Sequence, residues 1–410
     1  MDQENRGEVA EWTKAADSKS ASATERGGRG FKSLPLRLTI SGVEKGARME
    51  FEFLQKRKNP DFSVFREVLE GKRKAKRVHH VELFADEEIR EYITEKYFGK
   101  RWVPNTEETK EEYWKQEIEF WYRMGYDYIR VAGGLSFSGK SRKTEDTAEL
   151  SKGERDWVEE KEGVIKTWED FEKYQWPEIK NFDFFPYEFV SKNLPEGMKM
   201  VVCPSSGVFE IASETLLGFE NMSYLLYEDF SLVQAVFDKV GSLIEEFYRE
   251  IVDMENVEGF FQGDDLGFKT STFLSPEQLR KLVIPWHKKF AEIAHQKGKM
   301  YWFHCCGNIE NVIDEFIEDV KIDAFHSFQD EIIPVWEFKE KYGEKVAVLG
   351  GVDVDKLCNF DEESLRKYVR EILDKCMPER YALGSGNSIA NYVPPENYLI
   401  MIDEGEKYCK

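Results

Sequence analysis

Lys299-Met-Tyr-Trp-Phe-His-Cys-Cys-Gly307, then Asn308 to Val320, then Asp323-Ala-Phe-His-Ser-Phe328 is the stretch that decides the fold. The first piece is a short apolar run ended by polar residues and glycine, which reads as a strand and its closing loop. The second carries a helix-like pattern and the third is another short apolar run. Strand, helix, strand in this order implies two parallel strands joined by a helical crossover. Side chains alternate faces along a strand, so His304 and Cys306 are expected on one face and Cys305 on the other. An imidazole and a thiol on one face at a strand's end suit a soft divalent metal such as zinc.

The same unit recurs on both sides. Upstream, Val78–Phe84 reads as a strand followed by a helix over 86–97. A helix over 111–124 precedes the strand 126–132. The strand 198–203 is followed by helices over 209–217, 221–227 and 231–252, and the strand 257–262 ends in Gly263-Asp264-Asp265. Ser275-Pro276 opens a long helix expected to run to Lys297, with serine as N-cap and proline at the first helical position. Downstream, helix 333–342, strand 346–349, helix 361–376 with Asp361 as cap, strand 381–383 and a last helix from Pro394 follow. Eight such units in roughly 330 residues predict a TIM (β/α)8 barrel with insertions, with the chemistry on the loops after the strands. The charged segment from Gly133 to about Trp168 is too long for an ordinary loop and reads as a lid or excursion.

Composition narrows the function. The chain has 410 residues, 41% hydrophobic and 14% aromatic, so a large core can form. A net charge of -21 argues against a general nucleic-acid or anionic-membrane binder. No apolar run approaches the length of a membrane helix. Six scattered cysteines do not read as a disulfide framework, which favours reduced thiols and a cytoplasmic location. Residues 1–48 are small, polar and unpatterned. They read as a disordered tail or as the spurious translation of a transfer-RNA-like stretch, with Met49 as the start of a single domain over 49–410.

Several residues stand out beside His304 and Cys306. Asp264 and Asp265 are adjacent carboxylates after a strand, costly to bury without a positive partner. Glu82 lies inside the first expected strand, where an acid is uncomfortable. These three are the candidate catalytic groups. Asp353 follows Gly350-Gly351, which permits close backbone approach to a ligand; the plainer reading is a turn with Asp353 as cap. His326 and Gln329 end the sixth expected strand. Asp353, Gln329, His326, Ser385 and Asn387 are the candidate substrate contacts. His287 and His295 sit mid-helix and read as structural. The run 72–77 beside His79 and His80 reads as a solvated basic face. Trp157, Trp168 and Trp176 in the insertion read as packing, with a cover over a flat ligand as the alternative.

His304-Cys-Cys-Gly-Asn308, Asp323-Ala-Phe325, Gly350-Gly-Val-Asp353, Gly384-Ser-Gly-Asn-Ser-Ile389 and Pro395-Glu-Asn397, taken together, resemble the uroporphyrinogen decarboxylase superfamily. That superfamily includes corrinoid-dependent methyltransferases. In the methyltransferase branch the resemblance implies a zinc ion held by a His-x-Cys pair, here His304 and Cys306, and by a cysteine near the last strand. Asn387 stands at that third place, where the decarboxylase branch carries a histidine. No arginine-rich stretch for gripping an acidic porphyrinogen is present. The resemblance therefore implies methyl transfer to or from a corrinoid protein at a metal-activated site. The alternative is a carbon-carbon lyase of the decarboxylase type, and a third reading is a barrel that binds a tetrapyrrole without turnover. The expected partners are a small-molecule substrate, a corrinoid protein and a second copy of the chain forming a homodimer.

Overall fold

A computed structural model describes residues 50–148, 150–158 and 163–408 of the chain. The expectations for residues 1–48 and for the side chain of Trp157 lie outside the described residues.

Seven parallel strands form one curled sheet. They are β1 (Tyr128–Ala132), β4 (Lys199–Cys203), β5 (Val257–Gly263), β6 (Met300–His304), β7 (Ala324–His326), β8 (Ala347–Leu349) and β9 (Tyr381–Ala382), hydrogen-bonded in that order. Sequence neighbours pair because each crossover is a helical segment that packs back on the sheet. Every residue of β6 to β9 is buried. Such continuous apolar runs are expected of parallel strands covered on both faces. The excursion after β1 holds an antiparallel hairpin, β2 (Ser141–Glu145) and β3 (Glu154–Val158). Trp168 and Trp176 pack on either side of Phe171, with ring centroids 5.7 and 5.3 Å away.

Three expectations need correction. The strand expected over 78–84 is reduced to an isolated bridge of His80 with Leu383, and a second bridge joins Ala85 to Ile389. On the side facing β1, the Tyr128 hydroxyl both accepts from the Glu82 N–H (3.1 Å) and donates to the Glu82 carbonyl (2.8 Å). A side chain thus occupies the backbone groups a ladder would use. The long helix expected over 275–297 breaks at Val283 into Pro276–Leu282 and Ile284–Gln296. Pro285 has no N–H to continue the ladder. Its start is as expected, with the Ser275 side chain accepting from Gln278 N. The helix expected from Asn308 begins only at Ile313, because the Asn308 side chain accepts from Glu310 N and holds a turn instead.

Register positions the site. Gly263 pairs with His304 and His304 with His326, so three consecutive strands end in one row. That row is at the carboxyl ends of the strands, the face on which barrel-like α/β folds carry their chemistry.

Candidate metal and active site

β6 delivers His304 to the edge of the sheet, and the chain turns immediately after it. The expected alternation holds. His304 Nε2 and Cys306 Sγ lie 3.4 Å apart, while Cys305 is turned into the core, where its sulfur accepts from Leu266 N. From the end of β5, Asp265 brings a carboxylate to the pair. Its Oδ1 is 3.5 Å from His304 Nε2 and accepts from Cys306 N at 2.8 Å. The ligand atoms of Asp265, His304 and Cys306 all lie within 4.8 Å of one another. Asn387 donates from Nδ2 to Cys306 Sγ at 3.1 Å. These four residues share a cavity of about 410 Å³ with Arg130, Glu210, Cys203 and Phe84.

Burial sets the electrostatics. Loss of water pushes His304 down to about 3, with the Arg130 charge adding to the effect. His326 is held well below its ordinary value, first by burial and then by His304. The Cys306 thiol is pushed well up, first by desolvation and then by the Asp265 carboxylate. Glu210 is raised well above the carboxylate range by desolvation, then by Asp265 and Glu214. Left alone, His304 and Cys306 are therefore held in their neutral forms, and a bound cation reverses the preference of the thiol. Arg130 lines the same cavity without a carboxylate partner among the described residues, and its buried Nε has no hydrogen-bond partner.

The other sequence candidates fall outside the cavity. Asp264 is fully buried and points away from Asp265, as consecutive residues at a strand's end must. It accepts from Phe209 N and Glu210 N, both at 3.0 Å, and shares a 2.8 Å bond with His287 Nε2. It ties β5 to two helices. Gly207 leaves room for it, since a Cβ there would fall 2.1 Å from the carboxyl carbon. Asp353 caps the helix Val354–Asn359 through Asp355 N and Lys356 N and also accepts from Asp330 N. Gln329 lines a separate, mainly apolar cleft with Ile333 and Phe338. Glu82 is buried against Ser385, accepting from its N–H at 2.8 Å and meeting its hydroxyl at 2.5 Å. Burial raises Glu82 to about 8, against the pull of the two Ser385 bonds. His326 stands directly behind His304, Nδ1 to Nδ1 at 2.7 Å.

Sequence reasoning passed over two cavity residues. Arg130 had a signal, a charge inside the apolar strand Tyr-Ile-Arg-Val-Ala. Glu210 had none, because an acid in the first turn of a helix is ordinary.

Comparison with known proteins places this geometry in a family. Residues 163–408, more than half of the chain, match the family described as uroporphyrinogen decarboxylase (URO-D). A methylated-thiol--coenzyme M methyltransferase of Methanosarcina mazei is 26% identical over 179 residues, which are 43% of this chain and 46% of that protein. The match thus spans about half the length of that curated relative. A solved methyltransferase from Methanosarcina mazei superposes with a TM-score of 0.62 at 13% identity, over 84% of this chain and 98% of that one. At that identity the likeness is one of fold. The parallel curled sheet, the row of strand ends and the match over 163–408 agree, and the chain belongs to the uroporphyrinogen decarboxylase family.

Proposed function

We propose that this protein is a methyltransferase that moves a methyl group between a small thiol-type substrate and a corrinoid carried by a partner protein. In this reading Asp265, His304 and Cys306 hold a zinc-like divalent ion. The observation that carries it is the triangle of ligand atoms. Ligands about 2.0–2.3 Å from a tetrahedral zinc stand about 3.3–3.8 Å from one another. The His304–Cys306 and His304–Asp265 separations, 3.4 and 3.5 Å, fit that edge. Three protein ligands facing a cavity leave a fourth position for substrate, the pattern of catalytic rather than structural zinc.

Such an ion, held by Asp265, His304 and Cys306, would supply Lewis acidity toward a thiol substrate. The chain's own groups do the rest. Asp265 and Cys306 bring negative charge to the ligand set. Asn387 holds the Cys306 sulfur by its N–H, in the place where a third thiolate was expected. Arg130, with no carboxylate partner among the described residues, offers its guanidinium to an anionic end of the substrate. Glu210, raised well above the carboxylate range by burial, lines the same cavity as Asp265.

The name of the Methanosarcina relative supports a thiol substrate and favours transfer over decarboxylation. A porphyrinogen with many carboxylates would meet one arginine and two acids in this cavity. Five described cysteines are free thiols, in keeping with a cytoplasmic location, and no described helix is long and apolar enough to cross a membrane. A single domain over 49–410 and a homodimer belong to the same proposal.

The test is metal content combined with turnover. Zinc-reconstituted protein should carry one zinc per chain by plasma mass spectrometry. It should also methylate 3-mercaptopropionate from methylcobalamin, followed as the thioether by mass spectrometry. Cys306→Ser should lose both. Full thioether formation by metal-free protein, or zinc retained by Cys306→Ser, would overturn the reading.

A further inference from the structure

Three residues singled out in the sequence, Glu82, Ser385 and His326, lie outside the cavity yet connect to it in one line. The line begins at a backbone carbonyl. Ser385 O accepts from Gly351 N at 3.2 Å and faces His326 Nε2 at 3.1 Å. A carbonyl only accepts, so the proton is on His326 Nε2. His326 is fully buried and no carboxylate among the described residues hydrogen-bonds it, so its ring is neutral and its Nδ1 carries a lone pair. That lone pair faces His304 Nδ1 at 2.7 Å. Of two nitrogens in such contact one must donate, and it is His304 Nδ1. The His304 Nε2 is then bare, and it is the atom that faces Cys306 Sγ and Asp265 Oδ1.

We propose that His326 is a positioning residue: through it the Ser385 carbonyl fixes the tautomer of His304 and keeps His304 Nε2 unprotonated toward Cys306 and Asp265. Tautomers follow from partners, and here the partners leave one consistent assignment. With the opposite tautomer, His304 Nε2–H and Asn387 Nδ2–H would both point at Cys306 Sγ, and His304 Nε2 would have no lone pair for a cation. With the tautomer assigned, the Cys306 thiol donates to His304 Nε2 and accepts from Asn387.

The surroundings are built for this line. Glu82 clamps the Ser385 N–H and hydroxyl, which fixes the direction of the neighbouring carbonyl. Gly350, at φ +82°, lets the chain pass; a Cβ there would sit 2.2 Å from Ser385 O and 2.9 Å from His326 Nε2. The room that Gly350-Gly351 was expected to leave for a ligand is occupied at Gly350 by this relay. Groups outside the ligand set that orient a metal-binding histidine typically change metal affinity by about 10–100-fold when removed.

The inference deepens the metal reading of the proposed function and rests on it for its consequence, while the tautomer itself is measurable without metal. Full-length protein labelled with ¹⁵N-histidine is examined metal-free by long-range ¹H–¹⁵N correlation. Its six histidines are few enough to assign, with His304→Gln identifying the signal. His304 should carry its proton on Nδ1. His326→Leu should lose that preference and weaken Zn²⁺ binding by about 10–100-fold. His326→Asn places an amide oxygen where Nδ1 stood and should restore most of both. A wild-type His304 protonated on Nε2 overturns the proposal, as does a His326→Leu protein with unchanged tautomer and zinc affinity. If His326→Leu does not fold, the wild-type spectrum and His326→Asn still decide. The expected tautomer in a protein that binds no zinc upholds the relay and removes the metal from the proposed function instead.

Discussion

Replacing Glu82 by glutamine tests whether this acid is a buried, proton-bearing clamp. Glu82 is 1% exposed, its carboxyl is bonded, among the described residues, to Ser385 alone, and burial raises it from 4.5 to about 8. The sign follows from linkage. Below about pH 4.5 the folded and unfolded states both carry the proton. Between about 4.5 and 8 the unfolded chain releases it and the folded protein keeps it, so unfolding gains free energy as pH rises. Above 8 both are ionised and the dependence ends. Integrating the two titrations from pH 5.5 to 7.5 gives a loss of about 2.5 kcal/mol of folding stability from this residue. Glutamine keeps the geometry of the protonated acid. Its oxygen accepts from Ser385 N and its amide donates to Ser385 Oγ, without a titrating group. Urea denaturation of both proteins at half-unit steps over this range gives the difference between them, in which the other ionisable groups cancel. Glu82→Gln should gain on wild type by about 2 kcal/mol or more by pH 7.5. A difference that stays constant within about 0.5 kcal/mol across that range would refute the reasoning and restore an ionised Glu82.

The two adjacent aspartates should separate cleanly. Asp264→Asn should cost at least about 2 kcal/mol in urea denaturation, because one amide replaces an acceptor of three buried bonds. Asp265→Asn should leave stability within about 0.5 kcal/mol and weaken zinc at least about tenfold in a competition titration; the reverse pattern would exchange their roles. Asn387→Cys should tighten zinc, since position 387 already reaches Cys306 Sγ, and an unchanged Kd would show that a thiolate there cannot join the set. Arg130→Gln should weaken 3-mercaptopropionate about tenfold or more by calorimetry while leaving 3-mercapto-1-propanol alone. Equal effects on both would remove the guanidinium from substrate recognition.

Much of the architecture was legible because it rests on local patterns. Alternating apolar runs and helical stretches name parallel strands with crossovers wherever both faces are covered, and the Ser275 and Asp361 caps are written in single residues. The pairing of His304 with Cys306 followed from strand alternation alone. The same rule, applied to Asp264 and Asp265, would have sent one of them away from the site. What local patterns do not carry is which long-range partner fills a backbone or side-chain group. The Tyr128 hydroxyl takes the ladder positions of Glu82 from 46 residues away, and Ser385 hydrogen-bonds the Glu82 carboxyl from 303 away. Neither separation leaves a trace in periodicity.

The sequence by itself therefore determined the kind of sheet, the strand end at which the proposed site lies and the first two of its proposed ligands. Only the tertiary structure decided the third. Asp265, 39 residues before His304, reaches the pair because β5 lies beside β6 in register, Gly263 opposite His304. It also decided that Asn387 supports Cys306, that Arg130 stands in the wall with no carboxylate partner among the described residues, and that Glu82, Ser385 and His326 form a line behind the site rather than its floor. The physical reason is that a site at the open end of a sheet is assembled across strands. Alternation fixes which side of its own strand a residue faces, and the register between strands fixes whom it meets.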